Sequence, residues 1–463
     1  MSYDFGLVGL GVMGRNFILN VADSNFSAYG LDTDPEKVEA LRKEGEGKAV
    51  DGTTDTAQFV AELTTPRKIM LLVPAGGPVD SVIESLLPHL SQGDLVIDGG
   101  NSFYTDTDRR FEYLKGKGIH FMGCGVSGGA KGARFGPSMM PGGSEESYNI
   151  VKPIFEAAAA KVNGDPCVAF LGNGSAGNYV KMVHNGIEYG MMQLISEAYD
   201  ILKTGLGKPN DEIQSIFEEW NNGRLQSFLV EITADIFRKK DELETGYLVD
   251  KILDKAKQKG TGKWTSQNAM DLGSAIPTID AAVSMREISA LKDDRVQAEA
   301  IYGSKAKGSG LLKVDEIETA LYVSFIISYA QGMTQLAYAS QEYDYGLNLE
   351  VISKIWRGGC IIRSSILEDM RNAYQSNPSL VHLLMDEDFA SGVKGGLEDL
   401  KTTVTYALNQ NIPVMGLSAS LNYLQAFTSG RLPLNLIQAQ RDHFGSHTYE
   451  RLDREGIFHS EWS

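Results

Sequence analysis

The segment Lys181–Tyr189 carries the side chains best suited to acid–base chemistry. At about 100° per residue, four polar side chains fall within an arc of about 100° on one helical face. A lysine and a glutamate on such a face can act as base and acid beside a hydride acceptor. A solvated helix face is the ordinary alternative, but the position directly after a predicted nucleotide-binding region favours chemistry. The four candidate catalytic residues are Lys181, His184, Asn185 and Glu188.

A glycine fingerprint follows the first apolar run of the chain. Gly9-Leu10-Gly11-Val12-Met13-Gly14 is a complete G-x-G-x-x-G, whose glycines permit a tight turn, close approach of a pyrophosphate and close helix packing. The N-terminus of the following helix would favour that anion. Asp32 comes 18 residues after Gly14, at the end of the second predicted strand. The spacing predicts a dinucleotide site; a tight turn without a ligand is the alternative.

Several basic residues could bind an anion. Lys259-Gly260-Thr261 has the composition of a loop that wraps a phosphate or carboxylate. Arg286, and Arg441 with His447, are further candidates. Each of these residues alone is more often a surface charge, so their pattern does not by itself define a site.

The elements that must position these residues change character near residue 176. Before it, short apolar runs alternate with longer amphipathic segments, which predicts a doubly wound α/β domain of Rossmann type with a mostly parallel sheet, over residues 1–176. The glycine-rich segment Gly123–Gly143 is predicted to be irregular and to expose N–H groups to a ligand. The predicted strands are Phe5–Leu10, Ala28–Leu31, Ile69–Val73, Leu95–Ile97, His120–Gly123 and Val168–Leu171.

Helical periodicity dominates the rest of the chain and predicts a large all-helical domain over residues 177–434. The motif Ile-x-x-x-Trp-x-x-Gly occurs at Ile216–Gly223 and at Ile352–Gly359, which indicates a tandem duplication or a chance match. Residues 435–463 form a predicted C-terminal tail. Its aromatic side chains favour a tail that docks on something over one that frays.

Composition excludes several classes of protein. The 463 residues include 43 Lys and Arg against 60 Asp and Glu, a formal charge of −17, which argues against a general nucleic-acid binder. Three distant cysteines, with no C-x-x-C pair, argue against a disulfide framework or a cysteine zinc site and fit a reducing compartment. With no secretory signal and no long apolar stretch, the sequence predicts a cytoplasmic protein with no membrane partner.

From about residue 4 to the end, the chain resembles the decarboxylating 6-phosphogluconate dehydrogenases. The resemblance implies oxidative decarboxylation of 6-phosphogluconate to ribulose 5-phosphate and CO2, a pentose phosphate pathway reaction, by a homodimer whose tails reach the partner subunits. The matching stretches are Gly9–Gly14, Asp98–Ser102, Gly125–Gly129, Gly132–Gly143, Val180–Tyr189, Gln258–Thr265, Ile355–Arg363, Gln440–Asp442 and His447–Glu450.

The resemblance also implies residue roles. Lys181 would take the proton of the C3 hydroxyl as hydride leaves C3 for the nicotinamide, and Glu188 would protonate C1 of the enediol after CO2 is lost. No metal is expected, because Lys181 and its polar neighbours can polarise the carbonyl. The implied substrate-binding residues are Asn101, Ser127, Gly128, Gly129, His184, Asn185, Tyr189, Lys259, Thr261 and Arg286, with Arg441 and His447 contributed by the other subunit.

The cofactor end departs from the family pattern. Family members read Asn-Arg followed by Ser or Thr after the second strand, and the Arg binds the 2′-phosphate of NADP; this chain reads Asp32-Thr33-Asp34. A carboxylate there accepts ribose hydroxyls, so NAD is predicted over the family's NADP, although Arg15 or Lys37 could bind a phosphate instead. Asp34 is predicted to cap the helix that starts at Pro35. The implied cofactor-binding residues are Gly9, Leu10, Gly11, Val12, Met13, Gly14, Asp32, Thr33, Asp34, Val73, Pro74, Ala75 and Asn101.

Two alternatives remain open at this point. A β-hydroxyacid dehydrogenase of the 3-hydroxyisobutyrate type shares the fingerprint and the lysine helix but is a much shorter chain. A nucleotide-sensing binding protein without catalysis would be expected to lack Lys181 or Glu188, and both are present. Further departures from the family, at Ala130-Lys131, Asn178 and Met191, fall outside the residues assigned to chemistry.

Overall fold

The structure is a computed structural model that describes residues 2–303 and 311–462. Its first region alternates strands and helices. These elements are β1 Phe5–Val8, α1 Val12–Asp23, β2 Ala28–Leu31, α2 Pro35–Glu44, β3 Val50–Thr53, α3 Thr56–Ala61, β4 Lys68–Leu71, α4 Gly77–Leu86, β5 Leu95–Asp98, α5 Tyr104–Lys115, β6 His120–Ser127, α6 Gly129–Phe135, β7 Ser138–Gly142, α7 Glu145–Ala158, β8 Lys161–Val162 and β9 Asp165–Pro166.

The main sheet has seven strands in the order β3-β2-β1-β4-β5-β6-β7. Every neighbouring pair is parallel except β6 and β7, which are antiparallel. Separate apolar clusters on the two faces show that helices cover both sides. The strand order reverses between β1 and β4, the place where doubly wound sheets bind ligands. The predicted α/β class with a mostly parallel sheet is confirmed.

Three local predictions about this sheet were wrong. β3 was missed because Val-Asp-Gly-Thr contains no apolar run, as an edge strand allows. The segment Gly123–Gly143 is regular, since it contains the end of β6, all of α6 and all of β7; Pro141 is tolerated because β7 is the last strand of the sheet. The predicted strand Val168–Leu171 is reduced to a single bridge between Val168 and Met139.

The remainder is helical, apart from a small hairpin near the end. Its elements are α8 Ala176–Asp200, α9 Asn210–Asn221, α10 Phe228–Arg238, α11 Thr261–Asp271, α12 Pro277–Ala290, α13 Lys292–Tyr302, α14 Val314–Glu342, α15 Leu349–Trp356, α16 Ile366–Ser376, α17 Glu387–Asn409, α18 Met415–Phe427, α19 Leu434–Gly445, β10 Tyr449–Glu450 and β11 Ile457–Phe458.

The large helical region predicted from the sequence is confirmed. Helix α14 runs through its core with most of its side chains buried, and α8 packs beside it. The two motif copies end α9 and α15, and the segments after them pair through an antiparallel bridge between Ser227 and Ser364. The duplication and the boundaries at 176 and 434 stay predictions. No helix within residues 2–303 and 311–462 is long and apolar enough to cross a membrane.

Helix α8 lies against β6 and β7 along a glycine seam formed by Gly123, Gly125, Gly142 and Gly177. A Cβ atom at Gly125 would lie 2.3 Å from Lys181 Cβ, and one at Gly142 would lie 2.2 Å from the backbone nitrogen of Gly177. Contacts this short do not occur between real side chains, so only glycine permits this approach. The seam therefore fixes the distance of α8 from the sheet.

The seam predicts that Gly125→Ala destabilises the fold. The new methyl group must push α8 away from β6, which should lower the free energy of unfolding by about 1–3 kcal/mol in urea titrations. Gly395→Ala is the matched control, because Gly395 is an exposed residue of α17 with no atom within 4 Å of the place its methyl group would occupy, and it should stabilise the helix by about 0.5–1 kcal/mol. Equal changes in the two variants would contradict the seam.

Candidate active site

The polar face predicted on α8 exists, and it is buried except at Glu188, whose side chain is 21% exposed. Lys181 and His184 lie one turn apart, with 3.4 Å between Lys181 Nζ and His184 Nδ1. Glu188 follows one turn later, and its Oε2 lies 3.9 Å from the same His184 nitrogen. The four candidates therefore share one face, which points toward β6 and α11 rather than toward solvent.

A chain of polar contacts runs from β6 across α8 to α11. Ser127 Oγ, at the end of β6, lies 3.3 Å from His184 Nε2, and His184 Nδ1 lies 3.0 Å from Asn185 Oδ1. The Asn185 amide then donates to Thr261 Oγ1 at 3.1 Å. This series of polar contacts joins the carboxyl end of the sheet to the first residue of α11.

Burial shifts the pKa values of all three titratable groups on this face. It lowers the pKa of Lys181, against the opposing charge of Glu188, and it raises the pKa of Glu188, against the charges of Lys181 and Arg286. Burial, helped by the charge of Lys181, holds the pKa of His184 well below its ordinary value. His184 is therefore neutral near pH 7, while the base and acid candidates are both pushed toward their neutral forms.

The positively charged Arg286 lies near Glu188. The Arg286 guanidinium lies over the Tyr189 ring at 3.3 Å, and it donates to the Lys257 carbonyl at 3.2 Å. A Cβ atom at Gly262 would lie 2.4 Å from the Tyr189 ring, so the first turn of α11 packs directly against that ring. Tyr189, Thr261 and Arg286 thus lie together, whereas Lys259 is exposed beside them.

The segment after α15 completes the cluster, although no functional residue was predicted in it. The backbone N–H of Ile361 donates to Ser127 Oγ at 3.3 Å, and the Trp356 ring meets His184 edge-on at 5.5 Å. A Cβ atom at Gly128 would lie 2.5 Å from the Gly359 carbonyl oxygen. The glycine pair that ends the second motif copy was the available signal for this close approach.

The segment after β5, which carries Asn101, is held by the buried carboxylate of Asp98, for which no role was predicted. The Asp98 carboxylate accepts from Ser102 Oγ at 2.6 Å and from the Arg110 guanidinium at 3.2 Å. Asn178, one of the departures from the family, donates to the Gly100 carbonyl at 3.3 Å. Asn101 itself is exposed at the mouth of this segment.

The glycine fingerprint fits a dinucleotide. A Cβ atom at Gly14 would lie 1.8 Å from the Gly9 carbonyl oxygen, so this glycine serves helix packing, whereas Gly11 faces open space. Gly11 precedes α1 without any side-chain cap, which leaves the helix N-terminus available to an anion. Val12, just after β1, is largely exposed. Pro74 and Ala75, in the loop after the neighbouring strand β4, are exposed as well.

Asp32 is fixed at the end of β2. Its carboxylate accepts from the backbone N–H of Leu10 at 2.7 Å and from that of Asp34 at 3.0 Å. Lys37 Nζ lies 3.4 Å from Asp32, and Arg15 lies 3.3 Å from Glu44, so both neighbouring cations already face carboxylates. The Asp34 side chain accepts from Glu36 N at 2.9 Å, and its predicted capping role is confirmed.

Arg441 and His447 are not brought to the cluster within the described ranges of this single chain. Arg441 donates to Gln438 at 3.1 Å and the His447 ring contacts Phe444, both inside the tail. The tail is folded around Asp442, which accepts from His459, Trp462 and two backbone N–H groups at 2.8–3.1 Å. It is a pre-formed unit that presents exposed apolar side chains.

Two protein-family models together match almost the whole chain. The NAD binding domain of 6-phosphogluconate dehydrogenase matches residues 4–172, and the 6-phosphogluconate dehydrogenase C-terminal domain matches residues 177–462.

Individual relatives are similar over their full length. The decarboxylating, NADP(+)-dependent 6-phosphogluconate dehydrogenase of Bacillus subtilis is 52% identical over 99% of this chain and 98% of its own. The decarboxylating enzyme of Escherichia coli is 48% identical with the same coverage. The Plasmodium falciparum enzyme, solved in its apo form and with NADP+ and 6-phosphogluconate, is 45% identical, with a TM-score of 0.96 over 99% of this chain and 100% of that one.

Proposed function

The chain belongs to the 6-phosphogluconate dehydrogenase family, and we propose that it oxidises and decarboxylates 6-phosphogluconate to ribulose 5-phosphate and CO2. The full-length matches favour this activity over a β-hydroxyacid dehydrogenase or an inactive nucleotide-sensing protein. One observation carries the assignment to residues: the buried Lys181 and the half-buried Glu188 share one helix face, and desolvation shifts their pKa values in opposite directions. Three buried, unpaired cysteines support a cytoplasmic enzyme.

Lys181 is the proposed base. Its lowered pKa gives it more of the neutral amine near pH 7, so it can accept the proton of the substrate's C3 hydroxyl. A bound nicotinamide cofactor supplies the acceptor for the hydride that leaves C3. The neutral His184 beside the amine orients the substrate rather than competing for its proton.

Glu188 is the proposed acid. Oxidation at C3 leaves a ketone, into which the electrons of the breaking C1–C2 bond flow as CO2 departs. The enediol then needs a proton on the carbon that becomes C1 of ribulose 5-phosphate. The raised pKa of Glu188 keeps a larger fraction of its carboxyl group protonated for that step.

The remaining residues of the cluster are proposed to bind the sugar acid. Asn101, Ser127–Gly129, His184 and Asn185 would hold its carboxylate and hydroxyl groups. Tyr189, Lys259, Thr261 and Arg286 would bind the distal phosphate, which the guanidinium of Arg286 suits as a charge-assisted donor.

We propose that NAD is preferred over NADP, although the B. subtilis relative is named NADP(+)-dependent and the P. falciparum structure contains NADP+. The support is the fixed carboxylate of Asp32, which would meet the 2′ position of the ribose. Thr33 supplies no cation there, and Lys37 and Arg15 already face carboxylates. A 2′-phosphate would be repelled at this position.

We also propose that the enzyme is a homodimer with shared active sites. The support is the tail, whose Arg441 and His447 stay apart from their own chain's cluster while apolar side chains of α19 are exposed. A second copy of the chain would bury these side chains and supply both basic residues to the phosphate end of each site.

The acid–base assignment predicts large losses of turnover. Lys181→Met should nearly abolish production of ribulose 5-phosphate, and Glu188→Gln should lower kcat by about 10²–10⁴-fold, because general acid–base groups typically contribute this much. Both variants should keep wild-type cofactor affinity in fluorescence titrations. A Lys181→Met enzyme with more than a tenth of normal activity would overturn the role of Lys181.

The cofactor assignment predicts that kcat/KM for NAD exceeds that for NADP. Placing a carboxylate against the 2′-phosphate should cost ~3 kcal/mol, or about a hundredfold in affinity. The double variant Asp32→Asn/Thr33→Arg should shift the ratio toward NADP by about that factor, whereas Thr33→Arg alone should shift it less. A wild-type ratio in favour of NADP would falsify the assignment.

The shared site predicts complementation between inactive subunits. Deletion of the residues after Leu434 should abolish activity. Mixing Lys181→Met with Arg441→Ala subunits should restore part of it, because one of the two sites of each hybrid dimer carries neither change. If subunit exchange is demonstrated and no activity returns, each site is built within a single chain.

A further inference from the structure

Three tyrosine hydroxyls from three different elements converge on one buried amide. The Asn268 side chain in α11 donates to Tyr104 at 2.9 Å and to Tyr343 at 2.7 Å, and its carbonyl oxygen accepts from Tyr179 of α8. We name Asn268 and these three tyrosines the amide latch. Asn268 is only 3% exposed.

The latch uses the full donor capacity of the amide. Both N–H bonds of Asn268 have acceptors, and its oxygen has a donor. Gln335 donates to the Tyr179 oxygen at 3.4 Å and to the Thr265 carbonyl at 3.0 Å, which directs the Tyr179 proton toward Asn268. A network satisfied in this way is costly to open, because the released hydroxyls would keep only longer contacts: 3.4 Å between Tyr104 and Tyr343, and 3.4 Å from Gln335 to Tyr179.

The latch joins two parts of the proposed site that belong to different regions of the fold. Tyr104 begins α5 three residues after Asn101, and the neighbouring Phe103 ring contacts Trp264 at 4.8 Å. Asn268 lies about two helical turns after Thr261, the residue that Asn185 contacts. The latch therefore ties the segment of Asn101 to the helix that starts at the phosphate loop.

We propose that Asn268 is a positioning residue that holds Asn101 and the Lys259–Thr261 loop at the separation the sugar acid phosphate requires. The inference rests on the proposed function. Without the latch, the substrate itself must bring the two segments together, and the ordering cost appears in its KM. Cofactor affinity changes much less than substrate affinity, because every proposed cofactor-binding residue except Asn101 lies outside the segment that the latch holds.

The experiment combines Asn268→Leu, Tyr104→Phe and the double variant. Asn268→Leu removes all three hydrogen bonds at similar volume, and Tyr104→Phe removes only the hydroxyl of a partly exposed ring. Tyr406→Phe is the matched control, because the Tyr406 hydroxyl donates to the Gly205 carbonyl at 2.8 Å, away from the site. KM for 6-phosphogluconate, cofactor Kd and hydrogen exchange of residues 100–107 are measured for each.

We expect KM for 6-phosphogluconate to rise about tenfold in Asn268→Leu. KM of the double variant should be no higher than that of Asn268→Leu, because both changes break the same network. Exchange of residues 100–107 should accelerate, cofactor Kd should rise much less than KM, and Tyr406→Phe should match wild type. Additive effects on KM, or an unchanged KM with only lowered stability, would overturn the positioning role.

Two outcomes separate this inference from the proposed function. If the wild type does not turn over 6-phosphogluconate, the proposed function is wrong. If hydrogen exchange at residues 100–107 is unchanged in the variants, the latch is wrong, whatever the wild-type activity. If Asn268→Leu does not fold, Tyr104→Phe and Tyr343→Phe carry the same test, and failure of both to raise KM counts against the latch.

Discussion

The close approach of α8 to β6 and β7 is the constraint on which the rest of the site depends. Because the glycine seam places no side chain between helix and sheet, the polar face of α8 is enclosed by the protein instead of facing water. Ser127 can then contact His184, and the segment after α15 can close over both. A helix one methyl group further from the sheet would open the contact between Ser127 and His184.

Enclosure also sets the electrostatics. Removing water from Lys181 and Glu188 penalises the charged form of each, which is why their pKa values move in opposite directions. These groups lower the stability of the fold, since apolar residues would occupy the same volume at less desolvation cost. Buried ionisable groups maintained at such a cost are typical of functional sites, where activity and stability compete.

The sequence predicted features that are local and missed those that depend on distant segments. The face of α8 and the cap at Asp34 follow from spacing within a few residues, so both could be found. The contact of Ile361 with Ser127 joins residues 234 positions apart, and the sequence around neither residue indicates that the two meet. The strand β7 was missed because Met-Met-Pro-Gly has the composition of a loop, and only its pairing with β6 makes it a strand.

Asp442 has a consequence for how fast the two subunits of the proposed dimer would associate. Its four accepted hydrogen bonds fix the shape of the tail through contacts made entirely within residues 442–462. A segment already in its final shape loses little conformational entropy when it docks, and it need not fold before each successful collision. In the dimer proposed above, association would therefore be limited by diffusion and orientation rather than by folding of the tail.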